Sequence, residues 1–281
     1  MITQLQRFDK VAYKCSTLTT KSYSTSFSLG TRLLSRNIRK HIYAIYGFVR
    51  FADEIVDTFH EHDKKTLLEN FKNDTYRAIE QKISLNPILH SFQKTVNEFR
   101  IDRELIDIFL KSMEMDLHKK KYNHVEYDSY ILGSAEVVGL MCLKVFCNGD
   151  ENLYNALKDY AMKLGAAFQK INFLRDLKAD YEGMGRVYFP DIDMTTFNNY
   201  TKKEIEKDIE RDFESGLIGI KKLPKNSRLG VFVAYTYYRS LFNKVRSTPA
   251  ETIREKRIRI NNLYKYLLFT RCYVQHSLNV I

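Results

Sequence analysis

Only four prolines and eleven glycines occur among the 281 residues. An all-β sandwich or barrel needs a turn roughly every 8–12 residues, and so few turn formers cannot supply them. Long helices need few, so this scarcity points to an all-α chain. The apolar residues agree. Leu67, Leu68, Phe71, Ala78 and Ile79 recur at helical spacing within residues 64–83, and Leu105, Ile106, Phe109, Leu110 and Met113 within residues 102–120. Alternating strand patterns are essentially absent. Breaks fall at Asn86-Pro87, Asn148-Gly149-Asp150, residues 183–190, and residues 223–227 around Pro224. No Ser/Gly linker or low-complexity tract divides the chain. Ten or more helices in a single domain over residues 1–281 are expected.

Hydrophobic residues at 44% and charged residues at 28% exclude disorder, and the length suffices for a core without staples. Cys15, Cys142, Cys147 and Cys272 contain no C-x-x-C pair. Neither a disulfide framework nor a zinc ribbon is indicated, and a reducing, cytoplasmic location is expected. The first ten residues carry Arg7, Asp9 and Lys10 without an apolar stretch, so no signal peptide is expected. The longest apolar run, residues 137–143, stops at Lys144, short of the roughly 18 residues a membrane span needs. The chain is expected to be soluble, at most peripheral at a membrane surface. A net charge of +11 leaves three partners open: nucleic acid, anionic lipid or an anionic substrate.

Two segments carry chemistry. One runs from Tyr46 to Asp57 and holds Asp53 and Asp57; the other runs from Gln169 to Asp180 and holds Asp176 and Asp180. Residues four apart on a helix are offset by only ~40° and ~6 Å, so each pair of carboxylates leaves one face. Tyr46, Arg50, Asp53 and Asp57 share an arc of about 60°, and Gln169, Asn172, Asp176 and Asp180 one of about 80°. A single Asp-x-x-x-Asp is ordinarily a solvated helix face. Here Ile55, Val56, Leu174 and Leu177 show that the same helices enter a core. Like charges at i,i+4 cost a few tenths of a kcal/mol even on a surface, so pairs beside buried positions call for a cation. Magnesium takes oxygen ligands, one or two carboxylates with phosphate oxygens and water. Arg50 and Arg175 lie close by with the donor fork that suits phosphate.

These blocks, with others in the same order, resemble the squalene/phytoene synthase family, the head-to-head trans-prenyltransferases. Tyr23-Ser24-Thr25-Ser26-Phe27-Ser28 is similar to its hydroxyl-rich N-terminal segment. Tyr43 to Arg50 runs into the first aspartate motif. Gly133 to Gly139 resembles the mid-chain small-residue helix. Leu164-Gly165 through Asp180 is the second aspartate motif, and Arg186-Val187-Tyr188-Phe189-Pro190 follows it. Tyr238 and Arg257-Ile258-Arg259-Ile260 resemble the C-terminal blocks. The resemblance covers roughly residues 20–265. It implies an all-α, isoprenoid-synthase-like helical bundle with a deep central cavity, the two motifs facing each other across its mouth. It implies metal ligands at Asp53, Asp57, Asn172, Asp176 and Asp180, with Mg2+ or Mn2+ as the metal. Asp53, Asp57, Asp176, Asp180 and Tyr46 are then the catalytic set. Tyr23, Ser24, Thr25, Ser26, Tyr46, Arg50, Gln169, Arg175, Tyr238 and Arg257 are the substrate-binding set.

The reaction so implied joins two geranylgeranyl diphosphates, through a cyclopropylcarbinyl diphosphate, to phytoene in carotenoid biosynthesis. The alternative is a C30 squalene or dehydrosqualene product from farnesyl diphosphate, with NADPH required only for squalene. A non-catalytic helical scaffold is the reading from another class. No nucleic-acid partner is expected, since paired acids repel phosphate without metal. The chain departs from the family pattern at Leu132, Glu136, Lys178 and Ala179. Thr31, one turn after Phe27, is small and would lengthen a cavity if it faces inward. His60-Glu61-His62-Asp63 reads as a helix end or as part of an HD-type metal cluster. His118-Lys119-Lys120-Lys121 reads as a solvated helix end or an anionic-lipid contact.

Overall fold

The few turn formers stand where helices stop. In the computed structural model, which describes residues 2–261 and then Tyr264, Lys265, Leu267, Leu268, Thr270 and Cys272, Asn86 caps the next helix by accepting from the N–H groups of Ile88 and Leu89, with Pro87 in its first turn. Asn148 and Gly185 end their helices at φ +49° and +66°. Pro224 separates two further helices. Two stops have no such signal: Lys82 and Arg100 take the left-handed conformation at φ +58° and +51°.

The described residues form twelve α-helices and one π turn. They are α1 Gln4–Tyr23, α2 Thr25–Arg32, α3 Arg36–Asp57, α4 Lys64–Gln81, α5 Pro87–Phe99, α6 Arg103–Asp116, α7 His124–Ile131, the π turn Leu132–Glu136, α8 Val137–Cys147, α9 Glu151–Met184, α10 Asn199–Lys222, α11 Lys225–Arg246 and α12 Ala250–Glu255. No strand occurs among them; a single parallel bridge joins Lys121 to Val187. The all-α expectation holds, and residues 64–83 and 102–120 form α4 and α6 nearly as spaced.

One apolar cluster gathers α3, α5, α6 and α8 around stacked Phe48 and Phe92, whose ring centroids are 3.9 Å apart. A second gathers α7, α9, α10 and α11. Glycines let α9 approach its neighbours. A Cβ on Gly165 would lie 2.7 Å from the Ala135 carbonyl oxygen, and one on Gly219 of α10 would lie 2.3 Å from Tyr160 Cβ.

One expectation needs correction. Residues His124–Cys147 form a continuous 24-residue helical stretch that is long and apolar enough, by length and composition, to cross a membrane. Lys144 does not interrupt it, because its buried ammonium pairs with Glu151 at 3.1 Å and Asp102 at 3.2 Å. The stretch is mostly core: Val137, Leu140, Met141, Leu143 and Val145 are buried.

Candidate active site

α3 and α9 carry the two aspartate motifs past the mouth of one apolar cavity. Tyr46 of α3 and Phe168, Gln169 and Asn172 of α9 line it, and it runs inward to Phe146, Leu157, Ile220 and Leu223, enclosing about 310 Å³. Ser134 and Ala135 of the π turn and a set of small residues, among them Gly139, Gly165, Gly216 and Ala234, widen it. Thr31 faces inward and lines the cavity, its hydroxyl donating to the Phe27 carbonyl at 2.8 Å.

The mouth is a web of carboxylates and guanidinium groups. Arg50 pairs with Asp53 and with Glu54 on its own helix, and its guanidinium lies 4.3 Å from the Tyr23 ring centroid. Arg175 binds both oxygens of Asp176 at 2.9 and 2.6 Å. Arg257, from the segment after α12, reaches the same carboxylate at 2.6 Å. Tyr238 of α11 donates to Asn172 at 3.4 Å and stacks on Phe168 at 4.0 Å. Asn172 also donates to Gln169 at 3.4 Å. Phe27 stacks on Tyr46 at 4.8 Å, and Ser24, the N-cap of α2, sits beside the Tyr46 phenol. Burial pushes that phenol up to about 12. Ser26 is half-buried in the first turn of α2 and Thr25 there is exposed; neither side chain makes a hydrogen bond to the other site residues among those described.

Charge is crowded here. Burial and the adjacent Asp57 push the Asp53 carboxyl well above the usual carboxylate range. Burial, Asp176 and Asp57 raise Asp180 to about 7. Asp57 of the first motif is thus among the charges that raise Asp180 of the second, and both motif helices send polar residues, Tyr46 from one and Gln169 and Asn172 from the other, into the same cavity. Asp180 has no ion-pair or hydrogen-bond partner for its carboxyl among the described residues. Such a set gains from a bound cation, which would relieve the repulsion that raises these groups. No three His, Cys, Asp or Glu side chains gather closely enough around one point, among the described residues, to hold a metal by themselves. A cation here would therefore use one or two carboxylates and complete its shell with water or phosphate oxygens, the habit of magnesium. The residues present fit such an ion.

Beneath the first motif lies a polar layer that the periodicity of the sequence did not assign. Arg186 is buried and binds Asp57 at 2.7 Å, and its other terminal nitrogen donates to the Asp116 carbonyl at 2.7 Å. The Asp116 carboxylate accepts from Tyr130 at 2.6 Å and Tyr122 at 3.1 Å, with Tyr188 at 3.5 Å. Burial raises Asp116 to about 6, against the pull of Arg186. Two signals mark these residues: Asp116 continues the core-facing register of Phe109 and Met113 on α6, and Arg186 opens the Arg-Val-Tyr-Phe-Pro block. The departures Leu132 and Glu136 bound the π turn, and Glu136 is half-buried there. Lys178 turns to Glu182, at 3.6 Å.

The profile described as "Squalene/phytoene synthase" matches residues 20–264. The chain belongs to the squalene/phytoene synthase family. It is 30% identical over 207 residues to phytoene synthase of Arthrospira platensis, covering 69% of this chain and 65% of that one. It is 27% identical over 256 residues to chloroplastic phytoene synthase 1 of Zea mays, covering 80% and 59%. A third relative is 4,4'-diapophytoene synthase of Staphylococcus haemolyticus, 25% identical with coverage of 80% and 84%. The chain thus spans about three fifths of the length of the phytoene synthases it matches. A dehydrosqualene synthase crystal structure superposes with a TM-score of 0.81 at 21% identity, covering 97% of this chain and 98% of that one. A squalene synthase from Alicyclobacillus acidocaldarius gives 0.74 at 19% identity, covering 85% and 94%. This likeness fits the helical bundle and its cavity. Family members depend on a divalent metal in general.

Proposed function

We propose that the protein is a head-to-head prenyltransferase that condenses two geranylgeranyl diphosphates to phytoene, with Mg2+ held at its two aspartate motifs. The observation that carries this reading is the convergence of both motifs on the mouth of one deep apolar cavity. When bound, the metal supplies Lewis-acid stabilisation of the departing diphosphate. The two motifs would hold separate ions, Asp53 and Asp57 on one side and Asn172, Asp176 and Asp180 on the other, each ion taking one or two carboxylates and completing its shell with water or phosphate oxygens. Arg50, Arg175 and Arg257 orient the diphosphate oxygens by their donor forks. Gln169 and Asn172 bind at the polar rim, while the apolar walls take the prenyl chains and exclude water, which would otherwise hydrolyse a carbocation. The ring faces of Tyr46, Phe168 and Tyr238 steady that cation. One allylic diphosphate would lose diphosphate, its cation would be captured by the double bond of the second molecule, and loss of a proton would close the cyclopropylcarbinyl diphosphate. That intermediate would lose the second diphosphate in the same cavity, rearrange and give up a second proton.

The match over 84% of a C30 enzyme favours a second reading, a dehydrosqualene-type product from farnesyl diphosphate. A product assay with each substrate separates them, run with magnesium, with and without NADPH. A C40 hydrocarbon from geranylgeranyl diphosphate, independent of NADPH and lost with EDTA, is expected. A C30 product alone keeps the chemistry and moves the substrate. No product from either overturns the reading and favours a scaffold. Amphiphilic substrates and an apolar product favour peripheral membrane contact, while the cytoplasmic setting rests on the cysteine pattern alone. Liposome co-sedimentation that leaves all protein in the supernatant would count against that contact.

A further inference from the structure

Two basic clusters that the reaction does not use lie far apart in sequence and meet in the fold. His60, in the turn before α4, Lys64, its first residue, and His118, Lys119 and Lys120, after α6, line a second cavity of about 240 Å³. It shares no residue with the apolar cavity. Its deep wall is Arg186 and Asp116. Arg186 therefore stands between the two sites, holding Asp57 on one side and bounding the second cavity on the other.

The charges of this cavity are not balanced. Asp116 is its one acidic residue, and that carboxylate is already engaged by tyrosine hydroxyls and lies 3.6 Å from Arg186. Lys64 donates only to neutral acceptors, the Val56 carbonyl at 2.8 Å and His60 Nδ1 at 2.9 Å. Burial, and then the neighbouring Arg186 cation, depress its ammonium. Lys120 has no ion pair among the described residues; its chain lies along Gly185, with Nζ 3.9 Å from where a Cβ there would stand. Lys119, the third lysine of the lining, is paired with Glu126, and Arg186 is held by Asp57. Two ammonium groups without a carboxylate partner and two imidazoles thus surround, with that guanidinium, a hollow with room for several waters. Phosphoryl oxygens are the acceptors such donors favour.

We propose that this cavity binds a small phospho-anion, inorganic diphosphate in particular. It would be a site for the free leaving group, separate from the aspartate mouth. Only the origin of the anion rests on the condensation reading; the binding itself does not. The test is calorimetric titration of the full chain with sodium diphosphate in EDTA, without divalent cation or prenyl substrate, so that failure of the condensation reading leaves it interpretable. The expected result is one diphosphate per chain, weakening at least tenfold in Lys64→Met/Lys120→Met and changing less than twofold in Arg257→Ala at the aspartate mouth. Lys120→Met alone should weaken it at least threefold, which serves if the double variant fails to fold by circular dichroism. No binding by the unaltered protein, an unchanged affinity in the lysine variants, or loss of binding in Arg257→Ala overturns the proposal. Vesicles containing phosphatidic acid test the other source of the same chemistry. Lysine-dependent vesicle binding without binding of free diphosphate overturns it in favour of a lipid headgroup.

Discussion

The carboxylates at the mouth differ in who neutralises them. Asp176 is held by two arginines, Asp53 by Arg50 and Asp57 by Arg186, while Asp180 is left to the field of its neighbours. Replacing Asp53 or Asp176 by Ala should abolish turnover and leave the helical circular dichroism nearly intact; retained activity would count heavily against the metal assignment. The raised carboxyl of Asp180 also predicts a pH dependence. Its folded pKa, about 7, exceeds the ordinary unfolded value of roughly 4. Between those limits the folded chain binds more protons than the unfolded one, so without metal its stability falls as pH rises through the window. Asp180→Asn should raise the metal-free Tm at pH 8 by at least roughly 2 °C and flatten that slope. Thermal melts at pH 5 and pH 8 would show this, and an unchanged slope would refute it. Arg186 is a different case, because removing it strands Asp57 and Asp116 together. Arg186→Met should cost about 3 kcal/mol in urea unfolding; a loss under about 1 kcal/mol would mean that the polar layer is not held by that cation.

Helices make the site by where they begin, end and touch. α3 ends at Asp57, so its motif lies in its last two turns, at the mouth rather than deep in the bundle. α9 continues one turn beyond Asp180 before Gly185 turns the chain, which brings Arg186 back under Asp57. The register of α9 against its neighbours depends on side chains that are absent. The Cβ of an alanine at 165 would meet the Ala135 carbonyl oxygen, an atom of the backbone that cannot swing aside. Gly165→Ala should therefore destabilise by roughly 1–3 kcal/mol, the usual cost of overpacking, although alanine favours helix over glycine. Chemical denaturation decides the sign, and a stabilised variant would show that the π turn yields.

The whole molecule wraps seven helical segments, α2, α3, the π turn and α8 to α11, around a single apolar cavity. Its length is set by small residues contributed from several of them, so one bulky substitution should shorten it. Thr31→Phe is expected to lower kcat/KM for geranylgeranyl diphosphate roughly tenfold or more while sparing farnesyl diphosphate, since a filled apolar pocket discriminates by kcal/mol per lost methylene. Equal losses on both substrates would mean that the chain lies elsewhere. At this scale part of the +11 charge finds a place around the second cavity, whereas at the mouth Arg50, Arg175 and Arg257 are matched by carboxylates.

Helix content and the two aspartate arcs were legible in the residues, because i,i+4 spacing and apolar periodicity act over a few turns and need no partner. The breaks at Asn86-Pro87, Asn148 and Gly185 were legible for the same reason, since a cap or a positive φ is a local requirement. Lys82 and Arg100 were not, because neither residue type marks a left-handed stop. Nor could spacing reveal that Asp116, Tyr122, Tyr130, Tyr188 and Arg186 form one buried layer under Asp57. Those contacts join residues up to 129 positions apart, and a buried ion pair is defined by who surrounds it. The compensation of Lys144 by Asp102 and Glu151, which keeps an apolar stretch in the core, was hidden likewise. The sequence by itself determined an all-α chain bearing two polar helix faces. Only the tertiary structure decided that those faces meet at one cavity, and that two stray basic clusters meet at another, because long-range packing sets which charges share a dielectric.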